Sequence, residues 1–439
     1  MATRDLADKH LSELHAEAAR LGVPGYRTLR RDELIDEIAA RTGEPPEAEE
    51  EPPGDEAPPA EEEEEVADEA EPAAEVEPEA EQEERRREPE TEQVSGVLDR
   101  TFRGYGFLRL RGLEATPGDV YISASQIRRC ELRIGDLVSG PARAPDRGER
   151  YPALVHVDLV NGAEPEQGVE RPRLEDLTAV PPRRRLRLEP DSADILTRAV
   201  DLLVPLALGQ RVLVRAAPRS GRTTLLRGLA GAIQRTEERP ALVVLLVDER
   251  PEEATAWAEV LPDDDLAVAT AEMSSREQVR VATLALERSK RRAEAGEDVV
   301  LIVDSLSRLA VAQRDAGDVK QLFGVGRELA EEGAGSLTVI ATALDGVADE
   351  GAALAAVETT ENALIRLDPE LAAAGVYPAI RPAELRASGE EELREPNELE
   401  AVRRLRAELA GMEPADAAAA LLERLEATRT NAELLTDLR

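Results

Sequence analysis

The chain has 439 residues, a formal net charge of −37 and only 2% aromatic residues, so it suits two or three domains with cores of Leu, Val, Ile and Ala. Its single cysteine, Cys130, excludes a disulfide framework, points to a reducing cytoplasm and reads as a small buried apolar residue. No apolar run is long enough for a membrane span, and the N-terminus has no signal-peptide pattern.

Residues 1–43 read as a small helical domain. Leu6, Leu11, Leu14, Ala18 and Leu21 share one helix face, Gly25 and Tyr26 mark a turn, and Leu29, Leu34, Ile35 and Ile38 line a second helix. Residues 44–93 are a Glu/Pro/Ala tract carrying roughly half of the net negative charge, with runs such as Glu61–Glu65, and read as a disordered linker.

Over 94–163 the pattern changes to five short strands: Val94–Leu98, Gly106–Leu110, Asp119–Ser123, Asp136–Gly140 and Ala153–Leu159. That spacing predicts a small OB-fold β-barrel of the cold-shock type. Five of the eight Phe and Tyr residues fall here: Phe102, Tyr105, Phe107, Tyr121 and Tyr151. Phe102 reads as barrel filling. Tyr105, Phe107 and Tyr121, with Arg103, Arg109 and Arg150 close by in sequence, read as a platform where single-stranded nucleic acid stacks its bases and pairs its phosphates.

Residues 164–190 connect to a segment of alternating strands and helices over 191–439. The expected strands are Arg211–Val214, Ala241–Val247, Leu266–Thr270, Asp298–Val303 and Ser336–Ala341. The expected helices between them are Thr223–Arg235, Glu252–Val260, Arg276–Ala295 and Val319–Glu332. Strands that are apolar throughout predict a parallel sheet buried on both faces, with ligands beyond the C-terminal strand ends.

Three of those strand ends carry chemistry. Gly221, Arg222 and Thr223 stand where a P-loop places Gly, Lys and Thr; backbone N–H groups at the following helix N-terminus favour a phosphate, and the Thr223 hydroxyl is placed for Mg²⁺. Ala216 replaces the loop's first glycine, and Arg222 its lysine. Asp304 ends an apolar strand as the acidic residue that holds Mg²⁺ through water in P-loop ATPases does. Glu249 ends another strand and reads as the carboxylate that orients and deprotonates water, or as one of several helix-start carboxylates with Glu252 and Glu253.

Several longer motifs carry a family resemblance. Asp248-Glu249-Arg250-Pro251-Glu252-Glu253, Asp304-Ser305-Leu306-Ser307-Arg308-Leu309-Ala310 and the strand from Ser336 to Leu344 resemble the Rho family of transcription termination factors. So do Tyr121 to Arg129 and Gly148-Glu149-Arg150-Tyr151 in the barrel, the N-terminal Leu-Gly-Val-Pro-Gly-Tyr, and Thr428-Arg429-Thr430-Asn431. The resemblance implies a cytoplasmic homohexamer with a RecA-like P-loop motor: a helicase and ATP hydrolase that binds nascent RNA, translocates on it and releases it from RNA polymerase. Its implied RNA-binding residues are Tyr105, Phe107, Arg109, Asp119, Tyr121, Glu149, Arg150 and Tyr151. The implied ATP site comprises Ala207, Leu208, Gly209, Gln210, Arg211, Val212, Arg219, Ser220, Gly221, Arg222, Thr223, Thr224 and Arg250. Glu249 is the implied catalytic carboxylate, and Thr223 and Asp304 the implied Mg²⁺ ligands.

Four departures fall in the motor. Arg222 places a planar guanidinium where the family has a compact ammonium. The segment from Asp304 to Ser336 is short, with Lys320 its one lysine. The loop after Leu344 has no basic residue to meet RNA phosphates. Ser388-Gly389 runs into Glu390-Glu391-Glu392 where the family places an arginine finger, leaving Arg386 and Arg394 as candidate substitutes. Together they favour reduced or absent hydrolysis. The alternative from another class is a non-hydrolysing paralogue that binds RNA or modulates an active Rho ring. A third, a rotary ATP synthase subunit, conflicts with the aromatic barrel.

Overall fold

The computed structural model describes residues 91–165, 171–189, 194–261, 265–313, 316–345 and 351–437. The expected helical domain and nearly all of the acidic tract lie outside them. The tract's last residues do not: β1 begins at Thr91 and runs to Arg100.

Residues 91–160 form a closed five-stranded barrel. β1 pairs with β2 (Gly106–Arg109) on one side and β4 (Leu137–Arg143) on the other; β3 (Val120–Ile122) and β5 (Ala153–Leu154) complete the circuit, and β6 (Leu159–Val160) pairs outside it with β4. β4 alternates strictly, burying Val138, Gly140 and Ala142, as a strand with one face inward must. Gly140 has no room for a side chain: a Cβ there would lie 2.1 Å from the His156 carbonyl oxygen. Leu98, Leu108, Val120, Ile122, Val138 and Leu154 fill the interior. A short helix, α1 (Ala124–Arg129), interrupts the expected run of strands. Its signature was present in the sequence: Ser123 and Gln126 make a reciprocal capping box. Cys130, expected inside, lies partly exposed at the C-terminal cap of α1.

The motor is a nine-stranded sheet, larger than the five strands expected. Its main path runs β12 (Leu266–Thr270), β11 (Ala241–Glu249), β13 (Asp298–Asp304), β15 (Ser336–Leu344), β10 (Arg211–Ala216), β16 (Ala363–Arg366), β17 (Arg386–Ala387). All but β17 are parallel to their neighbours on this path. Two helical layers cover the sheet, and side chains alternate between them. Val212, Val214, Val244, Leu246, Val300 and Ile302 pack with α2 (Ile195–Leu203), α3 (Arg222–Gln234) and the helix Pro396–Ala410. Leu213, Val243, Leu245, Val299, Leu301 and Val339 pack with α5 (Ser275–Glu294), α6 (Leu306–Gln313) and α7 (Ala316–Gly324). α4 (Pro251–Ala258) follows β11.

The expected helix Val319–Glu332 is corrected. α7 stops at Gly324, and Arg327–Leu329 forms β14, which turns back antiparallel against the start of β15 and pairs with β7 (Ala179–Val180). The glycines at 324 and 326 break the helix, and Gly326 packs on Gln210 and Arg211 too closely for a Cβ. The expected connector thus adds strands to the motor: β7 joins β14, and β8 (Arg185–Leu186) pairs with β9 (Leu206–Ala207).

The barrel seats directly on α5. Val97 and Leu113 join the motor core, and a Cβ at Gly135 would lie 2.4 Å from the backbone carbon of Glu287. Arg133 pairs with Glu294 at 2.7 Å, and Arg280 with Asp99 at 2.7 Å. The Glu114 carboxylate accepts a 2.8 Å hydrogen bond from the backbone N–H of Val268 on edge strand β12.

Candidate functional site

On the barrel, the turn between β1 and β2 brings Tyr105 beside β2, and β3 brings Tyr121 opposite Phe107. Tyr105, Phe107, Tyr121 and Tyr151 form one cluster, with ring centroids 4.9 to 6.1 Å apart in the edge-on or tilted arrangements that aromatic quadrupoles favour. Phe107 is its buried centre, 5% exposed, while the three tyrosines are half-buried around it. Burial pushes the Tyr121 hydroxyl up, with Tyr105 adding to the shift. Arg150 is exposed and stacks over Tyr151 at 5.3 Å. This surface offers tyrosine faces and a cation to single-stranded nucleic acid.

Three expectations change here. Phe102 does not fill the barrel: it is 87% exposed at the tip of the β1–β2 turn, under the Arg103 guanidinium. Arg109 and Asp119 are not free to meet a ligand. Arg109 is buried, bonded to Asp99 and Asp119, and Asp119 is filled further by the Thr116 backbone N–H at 2.8 Å and the Thr116 hydroxyl at 2.7 Å. A desolvated guanidinium needs such partners. Glu149 accepts two 2.6 Å hydrogen bonds from Arg143, and these hold its carboxyl below the usual carboxylate range. Arg109 and Asp119 are thus spent on buried pairs beside Phe107, and Glu149 on Arg143.

On the motor, the C-terminal strand ends gather the second site. After β10 the chain turns through Arg219, at φ 65°, and Gly221, at φ 90°, into α3. The buried Ser220 hydroxyl donates to the Ala217 carbonyl at 2.7 Å and holds the turn. Thr223 is half-buried, and Thr224 and Arg219 are exposed. At the end of β11 the pairing with β12 slips between Val247 and Glu249. Asp248, at φ 54°, is thrown outward, and Glu249 turns inward and is buried. Such an irregularity re-aims a side chain. Arg250 is exposed at the start of α4.

Arg222 joins these parts. Its Nη2 donates to Glu249 Oε1 at 2.6 Å, and its Nε lies 2.8 Å from Asp304 Oδ1. The same Glu249 oxygen lies 2.7 Å from Arg308 Nη1, which also donates to the Asp248 carbonyl at 2.6 Å. The Thr342 hydroxyl donates to Asp304 Oδ1 at 2.9 Å. Asp304 is 1% exposed; burial pushes its carboxyl up, and Arg222 pulls it back. Arg308 and Thr342 received no role from the sequence. The signal for Arg308 was its place near the start of the helix that follows the Asp304 strand end.

The other expected ATP residues do not join this cluster. Ala207 to Val212 lie at the opposite, N-terminal end of β10. Ala207, Leu208, Gln210 and Val212 are buried there, and Gly209 packs against Glu328. Arg211 is spent on the carbonyls of Thr360, at 2.7 Å, and Gly326, at 2.8 Å. Of the two finger candidates, Arg394 is fully buried and donates to the carbonyl of Leu202 at 2.7 Å. Arg386 is exposed and pairs with Glu361 at 2.9 Å. Glu390, in the finger's stretch, is bonded to Arg406 at 2.6 Å.

Comparison with known proteins assigns families to both domains. The family described as Rho termination factor, RNA-binding domain, matches residues 94–166; the Rho termination factor N-terminal domain matches 5–44; and the ATP synthase alpha/beta family nucleotide-binding domain matches 197–322. Transcription termination factor Rho of Aquifex aeolicus is 37% identical over 366 residues, 78% of this chain and 84% of its own length. The chain belongs to the transcription termination factor Rho family. Rho of Streptomyces coelicolor is 39% identical over 79% of this chain and 86% of its own length. The chain spans 62% of the Mycobacterium leprae Rho, at 36% identity. This Rho-family chain thus carries an RNA-binding domain and a nucleotide-binding domain, and among the described residues no helix is long and apolar enough to cross a membrane.

Mg²⁺, the ion expected between Thr223 and Asp304, does not fit these residues as they stand. It needs octahedral oxygen ligands at roughly 2.0–2.1 Å. Glu249 Oε1 and Asp304 Oδ1 are taken by guanidinium nitrogens. Among the described residues no group of His, Cys, Asp and Glu gathers to hold a metal.

Proposed function

We propose that this chain is a Rho-type termination factor of the cytoplasm that captures single-stranded RNA on its barrel and binds ATP at the 216–224 turn, with hydrolysis reduced or absent. The observation that carries the reading is the pairing of Arg222 with both Glu249 and Asp304. An intact aromatic platform supports RNA capture. The carboxylate expected to activate water is shared between two guanidinium groups, so Glu249 serves first as a hub of the charge cluster. The backbone N–H groups at the start of α3 and the remaining guanidinium nitrogen of Arg222 receive the phosphates. Arg250 and the exposed Arg219 flank the same strand ends.

A homohexamer and contact with the RNA polymerase elongation complex follow from family membership and belong to the same proposal. The exposed Arg386 is the side chain left to act across a subunit boundary. A second reading, a non-hydrolysing member that binds RNA or modulates an active ring, is favoured by Glu390 standing in the finger's stretch and Arg394 being locked inside the fold.

ATP turnover with and without poly-pyrimidine RNA tests this, with Glu249→Gln as the blank. Little or no RNA-stimulated turnover alongside tight RNA binding is expected. Stimulated turnover that Glu249→Gln abolishes would show a working motor and remove the claim of reduced hydrolysis.

A further inference from the structure

We propose that this chain binds its nucleotide without a divalent cation, because the Arg222 guanidinium supplies the positive charge beside Asp304 and neutralises Glu249 next to it. The inference rests on reading the 216–224 turn as a phosphate-binding loop.

Charge and geometry carry it. Arg222 and Arg308 balance Glu249 and Asp304, so the buried cluster is neutral with no added ion. One planar fork reaches both carboxylates at once, with Nη2 on Glu249 and Nε beside Asp304. A lysine ammonium is a single point charge and cannot span the pair in this way. The third nitrogen, Nη1, has no protein partner among the described residues, so its N–H groups remain for an anion. α3 is 13 residues long and begins at Arg222 itself, so its first N–H groups open at the turn from which that side chain extends. The Thr342 hydroxyl donates to the same Asp304 oxygen, Oδ1, that faces the guanidinium, and so fixes the carboxylate there. Of the two expected metal ligands, Thr223 keeps a hydroxyl with no protein partner among the described residues, while Asp304 Oδ1 is already engaged by Arg222 and Thr342.

The test is ATP binding to the full chain by titration calorimetry, once with Mg²⁺ and once with EDTA in excess. The two dissociation constants are expected to agree within about threefold, and a larger loss in EDTA overturns the proposal. In Arg222→Lys one carboxylate is released, and EDTA is expected to weaken binding by about tenfold or more. If that variant ignored EDTA, the cause would lie away from Arg222 and the assignment would fall. ATP binding in neither condition would overturn the phosphate-loop reading together with this one, whereas Mg²⁺-dependent binding overturns this one alone.

Discussion

Arg109→Ala distinguishes a side chain that touches RNA from one that holds up the surface RNA touches. Arg109 is buried between Asp99 and Asp119, themselves 5% and 1% exposed. Removing it leaves Asp99 with Arg280 at 2.7 Å, but Asp119 keeps only the two Thr116 hydrogen bonds. Breaking a buried ion pair from one side costs about 3–5 kcal/mol, because the remaining charge is uncompensated. At about 4–8 °C per kcal/mol for a domain of 60–100 residues, the barrel's melting transition should fall by more than about 10 °C. The assay is calorimetric melting beside RNA affinity measured well below the variant's own transition, with Arg150→Ala as the exposed comparison. The expected pattern is a large loss of stability for Arg109→Ala and none for Arg150→Ala. An unchanged transition with RNA affinity lost would refute the reasoning and make Arg109 a direct ligand.

Tyr121→Ala should weaken binding of a pyrimidine oligonucleotide by about 1–3 kcal/mol, the range for one stacked base, and an unchanged affinity in a filter or anisotropy assay would remove Tyr121 from the platform. Arg394→Ala should destabilise the motor by about 3–5 kcal/mol in urea, since its buried guanidinium holds the end of α2, while Arg386→Ala should leave the midpoint within about 0.5 kcal/mol. Equal effects would refute their separation into structural and exposed roles. Asp304 has a folded pKa above its unfolded 3.8. The native state therefore binds the extra proton in that interval, and stability falls as pH rises from 3.8 through the folded value. Asp304→Asn should lose that component of the slope in denaturant midpoints measured across acid to neutral pH; an identical slope would show that Asp304 is not its source.

What the sequence determined by itself is what repeats or signals locally. The motor strands were legible because each is apolar throughout, and the P-loop, Asp304 and Glu249 because each follows such a strand. The Ser123–Gln126 capping box that starts α1 was equally legible, though only the fold drew it out. α7 was overextended because apolar residues continue past Gly324, while β14 is created by pairing with β15 and β7, a partner far away in sequence.

Tertiary structure alone decided which side of each residue faces what. Phe102 and Phe107 lie five positions apart in one aromatic stretch, yet one is exposed at a turn and the other is the centre of the cluster. Ala207–Val212 and Arg219–Thr224 read together as parts of one nucleotide site, but strand β10 separates them, and only the second stretch lies at the strand ends that carry Glu249 and Asp304. A slip in the β11–β12 pairing decided that Glu249, not Asp248, turns inward. Arg222, Glu249 and Asp304 each looked sound as single signals. That the arginine takes the place between the two carboxylates is a property of three strand ends brought together by a parallel sheet, and no local pattern encodes it.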